Sequence, residues 1–263
     1  MKAMIVATGS EILKGEVVNT NAAWIGSQLS TAGIDVLSHV GVGDDLESIR
    51  RALGDCVGAC DMVVVTGGLG PTKDDLTAEA AAEMAEVFLK EDARARASVE
   101  AYFKNRGRDV PSTNHKQALL PEGAVCIENP VGTAPGFSMV KGQTEFFFLP
   151  GVPFEMRSLM RDAVLPKVSG DHHLFKHLTT FGLAESAVGE RLFDLERLYP
   201  GVHLGYRANF PVIEVKIWAF APPESALENA WKKASLEAEV RLDRKSTRLN
   251  SSHRPKSRMP SSA

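Results

Sequence analysis

No apolar run in this chain approaches the roughly 20 residues needed to cross a bilayer, so composition argues against a membrane span. Cysteine is scarce. Cys56, Cys60 and Cys126 cannot all pair and show no Cys-x-x-Cys spacing, which favours reduced thiols in a cytoplasmic protein. A formal net charge of −3 gives no overall pull toward nucleic acid or an anionic membrane. The start, MKAMIVATGSEIL, has too short an apolar core, and acid too early, for a secretory signal. Familiar catalytic signatures are missing too. There is no Gly-x-Ser-x-Gly elbow, and no cysteine has an evident base partner, so covalent acyl chemistry is poorly supported.

What remains is an ordinary globular composition. With 263 residues, 44% hydrophobic and 24% charged, the chain can bury one large core and a smaller one. Ala3–Thr8 reads as a buried parallel strand because it lacks polar alternation, and Ile34–Val42 and Met62–Val65 read as the second and third strands. Between them, 21–32 carries Trp24, Ile25 and Leu29 at helical spacing, and the next helix lines up Leu46, Ile49, Leu53 and Val57 behind an Asp44 cap. Alternating strands and helices predict a mostly parallel sheet whose ligands sit at the strands' carboxyl ends. Helices are expected over 76–89 and 92–106, turn-rich chain over 123–136, a strand pair at 137–140 and 144–149, and a helix from Pro153 stopped by Pro166. From about 170 the order becomes strand (173–182), helix (185–198), strand (202–206), strand (212–221), helix (223–240), a second α+β unit. The last stretch, 243–263, has almost nothing apolar to bury and is expected to be a disordered, non-native tail.

The informative stretch is Val63-Val64-Val65-Thr66-Gly67-Gly68-Leu69-Gly70-Pro71-Thr72-Lys73-Asp74-Asp75. A buried-type strand ends in glycines at 67, 68 and 70, which let backbone N–H groups approach an anion, and Pro71 gives up its own donor where the chain turns. No Gly-Lys-Ser/Thr completes a Walker pattern, and Lys73 stands where a dinucleotide fingerprint would have its third glycine. Asp74 and Asp75 sharpen the picture. A carboxylate about 5 Å from a phosphate oxygen, at an effective dielectric near 20, costs roughly 3 kcal/mol. A divalent cation such as Mg²⁺ on Asp74 or Asp75 would reverse that sign and align a phosphorus centre. Helix capping is the plainer use and needs only one of the two.

Other polar clusters follow neighbouring strands: Thr8-Gly9-Ser10-Glu11, then Asn19 and Asn21, then Gly43-Asp44-Asp45, and later 129–136. Each alone would be a cap or a turn; together they outline one rim. His173 and His177 are four apart but lack a matched acid, so a zinc site is disfavoured.

The motifs Thr8-Gly9-Ser10-Glu11-Ile12-Leu13-x-Gly15, Asn19-Thr20-Asn21, Gly67 through Thr77, Gly132-Thr133-Ala134-Pro135-Gly136-Phe137 and Leu149-Pro150-Gly151-Val152-Pro153-x-Glu155-Met156 closely resemble the amino-terminal region of the CinA (competence/damage-inducible protein) family. That region belongs to the molybdopterin-binding MoaB/MogA-like superfamily, and the resemblance spans about residues 1–242. It implies a three-layer α/β/α domain over 1–169 and a small KH-like α+β domain over 170–242. Without a Gly-x-x-Gly loop, that second unit is not expected to bind RNA. The resemblance also implies a divalent-metal-dependent ADP-ribose pyrophosphatase and a homo-oligomer. The ligand would be a small nucleotide or pterin. Carried over by position, Gly67, Gly68, Gly70, Pro71 and Thr72 hold phosphates, while Asp74 and Asp75, with Glu11 and Asp44 alongside, organise metal and water. Gly9, Asn21, Gly132, Ala134, Pro135, Gly136, Gly151, Pro153 and Glu155 complete the pocket. Molybdopterin binding or adenylyl transfer would use the same cradle, and a non-enzymatic interaction module is a third reading. Many relatives carry a carboxy-terminal nicotinamide mononucleotide deamidase domain, for which this length leaves no room, so deamidation is not expected.

Overall fold

A computed structural model describes residues 1–168 and 172–252. The chain divides into two compact units, Met1–Asp171 and His172–Ala263.

The first unit opens with β1 (Lys2–Thr8), α1 (Ser10–Leu13), α2 (Thr20–Thr31), β2 (Asp35–Val42), α3 (Leu46–Cys56) and β3 (Met62–Thr66). It continues through α4 (Thr77–Ala85), β4 (Leu89–Glu91), α5 (Ala93–Lys104), β5 (Leu119–Pro121), β6 (Val125–Ile127), β7 (Gly136–Lys141), β8 (Thr144–Leu149) and α6 (Pro153–Leu159). Six strands form one sheet in the order β2-β1-β3-β8-β7-β6. The β1–β2, β1–β3 and β3–β8 pairings are parallel, and β7 pairs antiparallel with both β8 and β6. Both faces are covered, as an apolar parallel sheet requires. One layer packs α3 and α4 on Val6, Val63, Val65, Phe146 and Phe148; the other packs α2 and α6 on Ile5, Val64, Phe147 and Leu149. Phe137 and Phe148 stack at 4.3 Å on adjacent strands.

Several expectations shift. The helix expected over 76–89 stops at Ala85, where Glu86 takes a left-handed φ of 62°, and Leu89–Glu91 then pairs antiparallel with Leu119–Pro121. The β-prone Val87-Phe88-Leu89 run breaks the helical periodicity, and the cross-strand pairing outweighs it. Asp45, not Asp44, caps α3 by accepting from Ser48 N at 2.9 Å, and the helix ends at Cys56, short of Val57. After α6 the chain widens into a π turn over Met160–Val164, then tightens into a 3₁₀ turn at Leu165–Lys167 that contains Pro166.

The second unit comprises β9 (His172–Phe181), α7 (Glu185–Leu192), α8 (Leu195–Leu198), β10 (His203–Asn209), β11 (Val212–Ala221) and α9 (Ala226–Ser252). Its antiparallel sheet runs β10-β11-β9. The single helix expected over 185–198 is broken between Leu192 and Leu195. α9 begins at Ala226 rather than 223 and continues to Ser252, so 243–252 is helical where disorder was expected. That stretch has neither glycine nor proline before Pro255, and its Arg, Lys and Leu residues are good helix formers. The rest of the expected tail, 253–263, lies outside the described residues.

Candidate functional site

Four adjacent parallel strands, β2, β1, β3 and β8, end side by side. The polar motifs leave from those ends: Asp44 after β2, Gly9 to Glu11 after β1, Gly67 to Asp75 after β3 and Gly151 to Glu155 after β8. β7 runs the other way with Phe137 opposite Phe148, so Gly132 to Gly136 enters at the same rim. One edge of the sheet therefore gathers every motif singled out in the sequence.

The glycine turn is held by threonines. Thr77 donates its hydroxyl to Gly67 O (2.9 Å) and its N–H to Gly68 O (3.1 Å), and its oxygen lies 3.3 Å from that of Thr8. Gly67 and Gly68 have φ of 107° and 65°. A Cβ at Gly67 would come within 2.5 Å of Thr8 O, and one at Gly68 within 2.1 Å of Thr77 Oγ1, so only glycine fits either place. Gly67 N–H is already committed to Leu149 O at 3.0 Å. Among the described residues, nothing accepts the N–H groups of Gly68, Leu69 or Gly70.

Asp75 closes the turn. Its Oδ2 accepts from Thr72 N (2.8 Å) and Thr72 Oγ1 (2.6 Å), and the carboxylate lies against Gly70, where a Cβ would stand 2.5 Å from Oδ2. Asp74 beside it is exposed. Thr72 O accepts from Lys116 Nζ at 3.2 Å.

On the other side of β3, Asn21 of α2 donates to Gly151 O (2.7 Å) and Thr66 Oγ1 (3.3 Å), and Thr66 donates to Pro150 O (3.1 Å). Asn21 Oδ1 is buried without a partner. A Cβ on Gly151 would touch Gly67 Cα at 3.3 Å, so the β3 and β8 turns lie in contact. Ser10 and Asp44 lock reciprocally: Ser10 N donates to Asp44 Oδ2 (2.8 Å) and Asp44 N to Ser10 Oγ (3.1 Å). Glu11 is exposed, its carboxylate lying over Gly9.

Asn129 organises the remaining loop. Its Oδ1 accepts from Val131 N (3.1 Å) and Gly132 N (3.0 Å), and its Nδ2 donates to Ala134 O (2.8 Å) and Glu155 Oε2 (2.6 Å). Glu155 sits over Gly132, where a Cβ would fall 1.9 Å from its oxygen. Burial pushes the Glu155 carboxyl up from its ordinary value, and the Asn129 hydrogen bond opposes that only in part. Ala134 and Gly136 are buried, so they shape the loop from within; Pro153 occupies the exposed first turn of α6.

Sequence reasoning did not single out Thr8, Thr66 and Thr77 as the turn's supports, nor the 3₁₀ turn at Ser112–Ala118. From that turn Gln117 donates to Leu69 O (3.2 Å) and Thr133 Oγ1 (3.4 Å), and it accepts from Asn114 (2.8 Å). Both amides are buried, though neither lies in a motif; amides three residues apart just before a Leu-Leu strand were the available signal.

Among the described residues no group of three or more His, Cys, Asp or Glu converges as a metal cage. Asp74 and the free Oδ1 of Asp75 are what the glycine turn offers a hard cation, a donor set suited to an ion whose other ligands are water and phosphate. His177 pairs with Glu214 at 3.6 Å within the second unit's sheet. The three thiols are buried; burial pushes Cys56 up to about 12 and Cys126 to about 11. None is poised as a nucleophile.

A larger groove of about 1060 Å³ runs between α5, β6 and α6, lined by Tyr102, Arg106, Ser158 and Asp162 among others. Asn129 and Pro130 of the 129–136 loop reach its lining, but none of the glycine turn, Asn21, Asp44 or Glu155 does, so volume and chemistry point largely to different places. The polar convergence at the rim is the better guide, because catalysis depends on placed groups.

Comparison with known proteins places the fold. Residues 4–170 match the family described as "Probable molybdopterin binding domain". A CinA-like protein of Desulfosudis oleivorans is 44% identical over 223 residues, 82% of this chain and 54% of that protein. The nicotinamide-nucleotide amidohydrolase PncC of Shewanella oneidensis is 40% identical over 224 residues, 83% of this chain and 53% of that protein. The chain thus spans about half the length of the curated relatives it matches. The crystal structure of a CinA protein from Thermoplasma acidophilum superposes with a TM-score of 0.57 at 42% identity, over 61% of this chain and 94% of that one.

Proposed function

This chain belongs to the molybdopterin-binding domain family as a CinA-type amino-terminal region, and from that premise we propose that it is a metal-dependent nucleotide pyrophosphatase acting on ADP-ribose. The observation that carries the proposal is the glycine turn after β3, with unengaged N–H groups at Gly68, Leu69 and Gly70 beside Asp74 and Asp75. Unengaged main-chain donors at a strand end favour a phosphate; carboxylates next to a phosphate favour a bridging cation.

In this reading Gly68 and Gly70 bind pyrophosphate oxygens, Thr72 and Asp75 fix the turn, and Asp74 with Asp75 Oδ1 holds Mg²⁺ or a similar ion. The cation, when bound, neutralises charge on the phosphoryl oxygens. Water adds to one phosphorus, the bridging P–O bond breaks, and AMP and ribose 5-phosphate leave, the released proton passing to solvent. Stabilisation of the developing charge by the turn is the main contribution. Asn21 and the Gly151 turn bound the site on one side and the Asn129–Glu155 pair on another. The second unit is read as the KH-like domain of the same family, and the assembly as a homo-oligomer.

The test is AMP production from ADP-ribose by the purified chain with and without divalent ions. A second reading, binding of a molybdopterin, has the family description behind it. Thermal shift with each ligand, with and without metal, separates the two, and no shift with either points to a non-enzymatic interaction module.

A further inference from the structure

The proposed site has an electrostatic problem of its own. Asp74, Asp75 and Glu79 all lie on the turn and the helix that follows it, and a pyrophosphate would add further negative charge. The crevice beside the turn is lined by Gly68, Gly70, Asp75, Lys116, Gln117 and Pro135 with neighbouring apolar residues, and among the described residues Lys116 is the one cation in that lining. It comes from the 3₁₀ turn at Ser112–Ala118, whose position is fixed one residue later by the bond from Gln117 to Leu69 O. Lys116 Nζ lies 3.2 Å from Thr72 O and 3.4 Å from Glu79 Oε1. The Glu79 contact is long and part-exposed, with side-chain exposures of 26% and 37%, a kind of pair that contributes little. A lysine bonded to a phosphate oxygen is held more strongly than that.

We propose that Lys116 is a phosphate-binding residue of this site, exchanging Glu79 for a ligand phosphate while keeping its hold on the Thr72 carbonyl. This rests on the anion-site reading above and adds to it, beside the turn's own exposed Lys73, a cation from outside the motifs. The exchange has a signature that a purely structural Lys116–Glu79 bridge lacks. Freeing the lysine should help the ligand, whereas loosening a structural bridge should hurt it.

Inorganic pyrophosphate, titrated calorimetrically against the full chain, is the probe. Lys116→Met should weaken binding by roughly ten- to a hundredfold, the range for a lost charge-assisted bond, and Lys116→Arg should recover part of it. Glu79→Gln should tighten binding, and unchanged affinity in that variant counts against the exchange. Wild-type affinity in Lys116→Met, or weakened binding in Glu79→Gln, overturns the proposal; should Lys116→Met not fold, Glu79→Gln decides alone. If the wild-type chain fails to bind pyrophosphate, this inference falls together with the anion site. If it binds pyrophosphate in a Lys116-dependent way but releases no AMP from ADP-ribose, only the hydrolase reading falls.

Discussion

The two units solve the same packing problem in opposite ways. β3 is buried along all five residues because helices cover both faces of its sheet, whereas β11 alternates strictly between buried and part-exposed residues because one face packs on helices and the other does not. Along β1, β3 and β8 of the first unit polar groups stand only at the strand ends. Every motif of interest collects there, and the interior strands contribute volume alone. In the second unit Glu214, Lys216 and Trp218 alternate with Val215 and Ile217 along the strand itself, so polarity is spread along it. A sheet buried on both faces concentrates chemistry at its rim.

The largest expected effect comes from damaging that doubly covered interior. Phe148→Ala removes a fully buried ring stacked on Phe137 and should destabilise the first unit by about 3–5 kcal/mol. Urea unfolding followed by Trp24 fluorescence, with Trp218 and Trp231 replaced by Phe, reads it. A loss below about 1 kcal/mol would mean that the interior is not packed as described.

Next in size is the rim. Gly68→Ala forces a Cβ into Thr77 at a left-handed φ and should cost roughly 2–3 kcal/mol, with loss of pyrophosphate binding. Gly54→Ala, on an exposed stretch of α3 with open space around it, should be neutral or slightly stabilising by comparison.

The smallest effect is a pH dependence at Glu155. Its carboxyl is raised above the ordinary 4.5 by burial, so the folded state holds the proton to higher pH than the unfolded one does. The contribution to stability is full below the unfolded value and is lost as pH rises through the raised one. Glu155→Gln can still accept from Asn129 and escapes that loss. Its melting temperature relative to wild type should therefore climb across this interval and level off above it, and a flat difference would mean that Glu155 is not desolvated.

Much of this was legible in the sequence, for reasons the two units make plain. Apolar runs without alternation marked β1 and β3, and the glycines at 67, 68 and 70 marked the tight turn after β3, because close backbone approach is a local fact. Asp44 was read as the cap one residue early: two adjacent aspartates are equivalent until Ser10 claims one of them. The three-residue strands β4, β5 and β6 were too short for any periodicity to reveal. Gln117 and Asn114 escaped notice because a buried amide is defined by distant partners, here Leu69 and Thr133. Lys116 was invisible for the same reason, 44 residues from the carbonyl it holds.

The central claim is that the rim of the parallel sheet hydrolyses a nucleotide pyrophosphate with Asp74 and Asp75 holding the metal. The direct measurement is chromatographic quantification of AMP from ADP-ribose, with Mg²⁺ or another divalent ion, for the wild-type chain and for Asp74→Asn and Asp75→Asn. Metal-dependent AMP release that falls at least tenfold in one or both variants, about 1.4 kcal/mol of barrier or more, is the predicted result. No AMP with any divalent ion, or undiminished metal-dependent turnover in both variants, would contradict it.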